Sequence, residues 1–192
     1  MLNEAEFNTS EENLETVISG SFRKHMEEIG DIMEKFRNAE VKVLAPSTKE
    51  TINPEDEFVI LASDEPGKSP DKLEVDFMRN IRNADFLYVA DINGYVGQSA
   101  ATEMAYARLK NLPVVTAETV KNFTNEIPED AQEILKKAAT EILAKSDITK
   151  ENIERLKERL STRELPDITE EEAKILQPLI KKLLKNLEFL QQ

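Results

Sequence analysis

The sequence predicts a doubly wound α/β domain, in which helices cover both faces of a parallel sheet, followed by a helical annex. Over residues 14–125, short apolar segments alternate with segments of helical spacing. This pattern is typical of parallel strands joined by right-handed helical crossovers. From residue 126 onward the apolar residues recur only at helical spacing. We therefore expect a polar tail (1–13), an α/β domain of the Rossmann or flavodoxin type (14–125) and a helical annex (126–192).

Each element of the α/β domain has its own sequence signal. The first strand ends at Gly20 and the second at Pro46, because glycine and proline commonly end regular elements. The run Phe86–Ala90 is wholly apolar, as expected for a strand buried on both faces. Strands are predicted at 14–19, 41–45, 86–90 and 112–116, with 58–62 as an optional short strand, and helices at 22–36, 73–84 and 99–110.

The annex is predicted to contain helices only. An apolar stripe over 131–143 predicts its first helix, and a second helix is expected over 150–160. The third begins at the capping-box sequence Thr169–Glu172 and carries a leucine-rich stripe from Leu176 to Leu190. Two uses of that stripe remain open. It packs on the α/β domain, or it forms a homo-oligomer, most simply a dimer.

Composition excludes several classes of function. The 192 residues include no cysteine and one histidine, which excludes thiolate chemistry, disulfides and multi-histidine metal sites. The formal charge of −13 disfavours binding to a nucleic-acid polymer. No apolar run approaches the ~20 residues that cross a bilayer, and the polar first residues do not resemble a secretory signal. We expect a cytoplasmic protein that binds neither membranes nor nucleic acid, with no metal and no cofactor.

Glycines and hydroxyls gather at the carboxyl ends of the predicted strands, where ligands of open parallel sheets bind. Three of the five glycines lie there, at the starts of helices that favour anions. Ordinary turns and caps explain any single loop equally well, but three loops at one edge favour a small-molecule site. The candidate binding residues are Gly20, Ser21, Phe22, Gly94, Tyr95, Gly97 and Ser99.

Glu103 is the candidate catalytic residue at this edge. It follows Ser99 by four residues, so both side chains project from one face of the predicted helix. A carboxylate near a helix N-terminus is expected to stay ionised, which suits a nucleophile. The alternative is a surface glutamate that complements the helix dipole.

The same segments resemble the nucleoside 2-deoxyribosyltransferase-like superfamily. The similarity covers roughly residues 14–116 and rests on Thr16–Phe22, Val41–Pro46 and, most specifically, Gly94–Ala107 (GYVGQSAATEMAYA). The resemblance implies that Glu103 attacks the anomeric carbon of a nucleoside or nucleotide and forms a covalent glycosyl-enzyme. It also implies an aspartate that assists the leaving base, where this chain has Phe77. Asp76, one position earlier, and Asp91 are the candidate replacements, unless the acid is missing.

Two functions of different classes follow. The first is an enzyme, a nucleoside or nucleotide N-glycosidase or 2-deoxyribosyltransferase, with Glu103 as nucleophile. The second is a non-catalytic nucleotide-binding or sensing module that signals through the C-terminal helices. The displaced aspartate favours the second, and the motif around Glu103 favours the first.

Overall fold

The sheet of this protein is parallel and five-stranded, which confirms the predicted α/β class. The computed structural model describes residues 12–53, 60–62, 64 and 66–189, with side chains described up to residue 181. In chain order the sheet strands are β1 (Glu15–Ser19), β2 (Lys42–Ala45), β3 (Phe86–Val89), β5 (Val114–Thr116) and β7 (Ala139–Ile142), and two short strands, β4 (Tyr95–Val96) and β6 (Asn122–Phe123), pair separately. The strands lie in the order β2-β1-β3-β5-β7, as in a flavodoxin-like sheet.

Helices cover both faces of the sheet. In the part of the chain that the structure describes, the α-helices are α1 (Phe22–Asn38), α2 (Pro70–Asn83), α3 (Gln98–Leu109), α4 (Glu129–Ala138), α5 (Lys150–Thr162) and α6 (Glu170–Phe189). On one face, α1 and α5 pack over Ile18 and Tyr88. On the other face, α2, α3 and α4 pack over Val17 and Leu87. Alternate residues of each strand therefore enter two different cores, which explains the wholly apolar sequence of β3.

The prediction that residues after 126 form helices only is wrong at one element. Residues 139–142 form β7, which pairs with β5 in parallel register from Val114↔Ala139 to Thr116↔Ile142. The strand supplies hydrogen-bond partners for an edge of β5 that would otherwise be open. The sequence did not reveal this strand, because the apolar residues over 131–143 recur at helical spacing. In the structure, Ile142 is exposed, whereas Leu143 is buried on the α1 side of the sheet.

The annex helices divide between the two faces of the sheet. Leu156 of α5 is buried on the α1 side, and Leu176 and Ile180 of α6 are buried on the α2–α3 side. The predicted capping box is confirmed, since the Glu172 amide donates to Thr169 Oγ1 and the Thr169 amide donates to Glu172 Oε2. The first half of the leucine-rich stripe therefore packs within the chain. Its continuation beyond residue 181 lies outside the described side chains.

Two other expectations fall wholly or partly outside the described residues. The polar tail is described only at residues 12 and 13. Of the optional strand at 58–62, only 60–62 are described, and Leu61 makes a single antiparallel bridge to Thr51. Among the described helices, none has the length and apolar character of a bilayer-spanning segment.

Candidate active site

A cleft of about 260 Å³ opens where β1 and β3 end side by side. The register pairs Ser19 with Val89 at the carboxyl ends of these strands. From there the chain runs into α1 after β1, and through the β4 loop into α3 after β3. In a sheet of this order, the gap between these two connections is the expected ligand crevice. Fold topology therefore places the cleft where the sequence predicted a small-molecule site.

Glu103 is buried at the floor of this cleft. Its exposure is 8 %, yet it remains one of the lining residues. The hydroxyl of Ser19, the last residue of β1, donates a hydrogen bond to Glu103 Oε2. A nine-tenths buried carboxyl group that is fixed by one hydroxyl and still faces an open cleft has a defined orientation toward whatever fills that cleft.

The expectation that the helix N-terminus keeps Glu103 ionised is wrong. The pKa of Glu103 is raised to about 8, chiefly by burial; the Ser19 hydrogen bond opposes the rise, and the nearby Glu74 carboxylate adds to it. Glu103 lies beyond the first turn of α3, where the influence of the helix dipole has already faded. Desolvation therefore prevails, and near neutral pH the side chain is mostly a neutral acid.

The starts of α1 and α3 form one side of the cleft. Ser21 precedes α1 and Gly97 precedes α3, and neither helix has a side-chain cap. Four of the candidate binding residues, Gly20, Ser21, Gly97 and Ser99, line the cleft. A Cβ on Gly20 would lie 3.2 Å from Ile29 Cδ1 and 3.3 Å from Ala90 Cβ, so this turn needs glycine for close packing. Polar backbone groups at two helix starts thus border the cavity.

Two aromatic rings add an apolar surface to the cleft. Phe22 at the start of α1 and Phe77 on α2 both line the cleft, with ring centroids 6.1 Å apart and planes at 71°. This is the edge-to-face arrangement that aromatic pairs favour. Phe22 was predicted as a binding residue, whereas Phe77 occupies the position at which the resemblance implies an aspartate.

Gly94 and Tyr95 lie outside the cleft lining. Gly94 has φ +71°, and a Cβ there would lie 2.6 Å from the Thr119 carbonyl oxygen, so its requirement for glycine is structural. Tyr95 is partly exposed, and the Lys24 ammonium lies 5.5 Å from its ring centroid. Both residues shape the β4 loop beside the cleft.

Neither candidate acid reaches the cleft lining. The Asp76 carboxylate accepts from Lys68 Nζ at 2.6 Å and from Arg79 Nη1 at 3.2 Å, while Phe77 faces the cavity instead. Asp91 is fully buried at the end of β3, and its Oδ1 accepts from the Glu118 amide at 2.9 Å. A one-residue step turns a helical side chain by ~100°, which accounts for the exclusion of Asp76.

Two polar residues of the cleft lining, Asp64 and Glu74, were missed as site residues. Ser19, which does not line the cleft, was placed at this edge of the sheet as the start of the segment Ser19–Phe22, but no contact with Glu103 was predicted. Glu74 precedes Phe77 by three residues and therefore shares its helix face, which was a usable signal. Asp64 comes from the long β2–α2 connection, which carried no such signal. Among the described residues, no three potential metal ligands come together as a metal site.

Comparisons of the chain with protein-family models, with curated proteins and with solved structures found no match in any of the three.

Proposed function

We propose that this protein cleaves the N-glycosidic bond of a nucleoside or nucleotide, with Glu103 as the nucleophile. One observation carries the proposal: Glu103 is buried at the strand switch point, oriented by Ser19, and faces an open cleft. A buried carboxyl group is costly for a fold. A reaction that uses the group explains why it is there.

The reaction proceeds in two displacements. The ionised form of Glu103 attacks C1′ of the sugar, the C1′–N bond breaks with its electron pair passing to the base, which takes up a proton from solvent, and a glycosyl ester forms on the enzyme. Water or a second base then attacks C1′ and releases the Glu103 carboxylate. Ser19 holds the carboxyl group in one orientation throughout. Glu74, the neighbouring carboxylate of the cleft, accepts the proton of the attacking water.

The dimensions and lining of the cleft support a ligand of this size. A volume of about 260 Å³ suits a nucleoside or mononucleotide better than a dinucleotide. The rings of Phe22 and Phe77 offer an apolar surface to a planar base. The starts of α1 and α3, together with exposed Arg23, offer donors to the sugar or to a 5′-phosphate.

A second function, nucleotide sensing without catalysis, is favoured by the position of α6. This helix contacts both α2, which carries Glu74 and Phe77, and α3, which carries Glu103. A ligand that moves either helix would change the packing of α6. A mostly neutral Glu103 also suits a binding role, because a neutral acid donates a hydrogen bond but does not attack.

Incubation with a panel of deoxynucleosides, ribonucleosides and their 5′-monophosphates separates the two functions. We expect wild-type protein to release free base, measured by chromatography, and Glu103→Gln to release none. Binding without base release, accompanied by changed hydrogen exchange in α6, would instead support the sensing function. Glu133→Gln on the exposed surface of α4 is the matched control.

We also propose that the annex takes part in a homo-oligomer, most simply a dimer. Leu176 and Ile180 are already buried within the chain, so the contact would use other surfaces of the annex. Exposed Ile142 on the edge strand β7 is one such surface. Light scattering should give the mass of a dimer at micromolar concentration, and a monomer would refute this proposal.

A further inference from the structure

The lining of the cleft combines aromatic rings with carboxylates. Phe22 and Phe77 meet edge to face, and the acidic side chains of the lining are Glu103, Glu74 and Asp64. Among the described lining residues, Arg23 is the one basic side chain, and it is exposed. The cavity therefore has an excess of negative charge beside two aromatic π-systems.

This combination is suited to an organic cation. The face of an aromatic ring attracts a positive charge, and the attraction grows when the pair is removed from water. Carboxylates in a partly buried cavity add Coulomb attraction that solvent screens only weakly. A planar heteroaromatic cation satisfies both groups, since it stacks on a ring and carries its charge toward the carboxylates.

Such a ligand also removes the need for a general acid. A neutral base leaves with an extra electron pair and requires a proton, but Asp76 and Asp91 do not line the cleft. A base that already carries a positive ring nitrogen leaves as a neutral molecule, because the electron pair of the broken C1′–N bond cancels its charge. Leaving-group protonation is then unnecessary.

The cation would in addition prepare the nucleophile. Burial and the Glu74 carboxylate keep the Glu103 pKa high. A positive charge that enters the same cavity favours the ionised form of Glu103. The substrate would thus convert Glu103 from a neutral acid into an attacking carboxylate at the moment of binding.

We propose that the substrate is an N-glycoside of a cationic heteroaromatic base, such as a pyridinium nucleoside. This assignment rests on the proposed glycosidic function. Glu103 forms the C1′–O bond, the C1′–N bond breaks, and the neutral base departs. Water then attacks C1′ and releases Glu103. One proton of this water stays on the new sugar hydroxyl, and the other passes through Glu74 to solvent. Each hydrolysis therefore yields neutral base, free sugar and a released proton.

The test compares nicotinamide riboside, a pyridinium nucleoside, with its uncharged 1,4-dihydro form, and adds adenosine and 2′-deoxyadenosine as neutral nucleosides. Binding is measured by calorimetry, base release by chromatography and proton release with a pH indicator. We expect the cationic riboside to bind about tenfold or more tightly than the dihydro form. We also expect it alone to be cleaved, with stoichiometric proton release.

Two variants test whether the preference for the cationic riboside depends on the carboxylates of the cleft. Glu74→Gln should reduce the preference for the cation severalfold, whereas Glu133→Gln, on the exposed surface of α4, should leave it unchanged. Equal or weaker binding of the cationic riboside would overturn the assignment. Cleavage of adenosine or deoxyadenosine that depends on Glu103 would then leave the glycosidic function standing. Selective binding of the cation without cleavage of any compound would overturn both.

Discussion

Two carboxyl groups are buried at the carboxyl edge of the sheet, and they differ in what surrounds them. Glu103 opens to the cleft and accepts a hydrogen bond from Ser19. Asp91 is sealed beneath the loops after β3 and β5, where Oδ1 accepts from the Glu118 amide and Oδ2 is buried with no hydrogen-bond partner among the described residues. Burial raises the pKa of Asp91 to about 6 and that of Glu103 to about 8. Desolvation alone therefore does not identify a catalytic group; access to a cavity separates the two.

The loops around Asp91 explain why it is closed off. Asn93 and Gly94 adopt positive φ, and the Gly94 amide donates to the Asp91 carbonyl oxygen at 2.7 Å. The Asn93 amide donates to Glu118 Oε2, which ties the two loops together. In the cleft region, by contrast, the starts of α1 and α3 are uncapped and border open space. The Asp91 region is a closed hydrogen-bonded turn, whereas the Glu103 region borders an open cleft.

The largest expected effect concerns turnover. Glu103→Gln should lower base release by a factor of about 10³ or more, because the amide cannot form the glycosyl ester. Asp91→Asn should change it less than about tenfold, since Asp91 does not line the cleft. Chromatographic rates for the purified variants measure both. Comparable losses of base release in Glu103→Gln and Asp91→Asn would contradict the distinction between the Glu103 and Asp91 regions.

The pH dependence of the unfolding free energy should distinguish Glu103 from Asp91. Between pH 6 and 8, unfolded Glu103 is ionised while the folded carboxyl keeps its proton, so the folded state binds more protons and stability falls as pH rises. Glu103 should contribute a decline of about 2 kcal/mol over this window. Urea unfolding at each pH should show this decline in wild-type protein and in Asp91→Asn, and its loss in Glu103→Gln. An unchanged slope in Glu103→Gln would contradict the raised pKa.

Two glycines of the β4 loop provide a matched pair. Gly94→Ala should cost about 2 kcal/mol or more in unfolding free energy, because of its positive φ and the backbone 2.6 Å from the new Cβ. Gly97→Ala should cost less than about 1 kcal/mol, because its φ of −79° suits any residue and the nearest atom is 4.0 Å away. Thermal or denaturant unfolding of both variants is the measurement. Similar losses would mean that the cleft side is as tightly closed as the Asp91 side.

Substitution of Ser19 should have the smallest effect, which is a shift in the pH profile of kcat/KM. Its hydrogen bond lowers the pKa of Glu103, so Ser19→Ala should move the rising limb of kcat/KM to higher pH. We expect about tenfold slower cleavage near neutral pH and recovery at alkaline pH. Ser19→Thr, which retains a hydroxyl, is the control variant. A uniform loss at every pH would indicate that Ser19 only supports the fold.

The sequence predicted those parts of the structure that local patterns encode. Gly20 and Gly97 lie at strand-to-helix turns, so the edge of the sheet that holds the site was predictable, and Glu103 followed from the helix after it. The Ser19–Glu103 hydrogen bond joins residues 84 positions apart, and only the folded sheet brings them together. Strand β7 was hidden because its residues continue a helical spacing. Likewise, the sequence did not show whether Asp76 or Phe77 faces the cleft, because a shift of one residue rotates a helical side chain by ~100°.

Covalent capture tests the central claim most directly. A 2-fluoro-substituted nucleoside slows both displacements by destabilising the oxocarbenium-like transition states, and a good leaving group lets the glycosyl ester accumulate. Intact mass spectrometry of the incubated protein should show one added fluorosugar, and peptide mapping should place it on Glu103. Base release without an adduct, or an adduct on another residue, would contradict the assignment of Glu103 as the nucleophile.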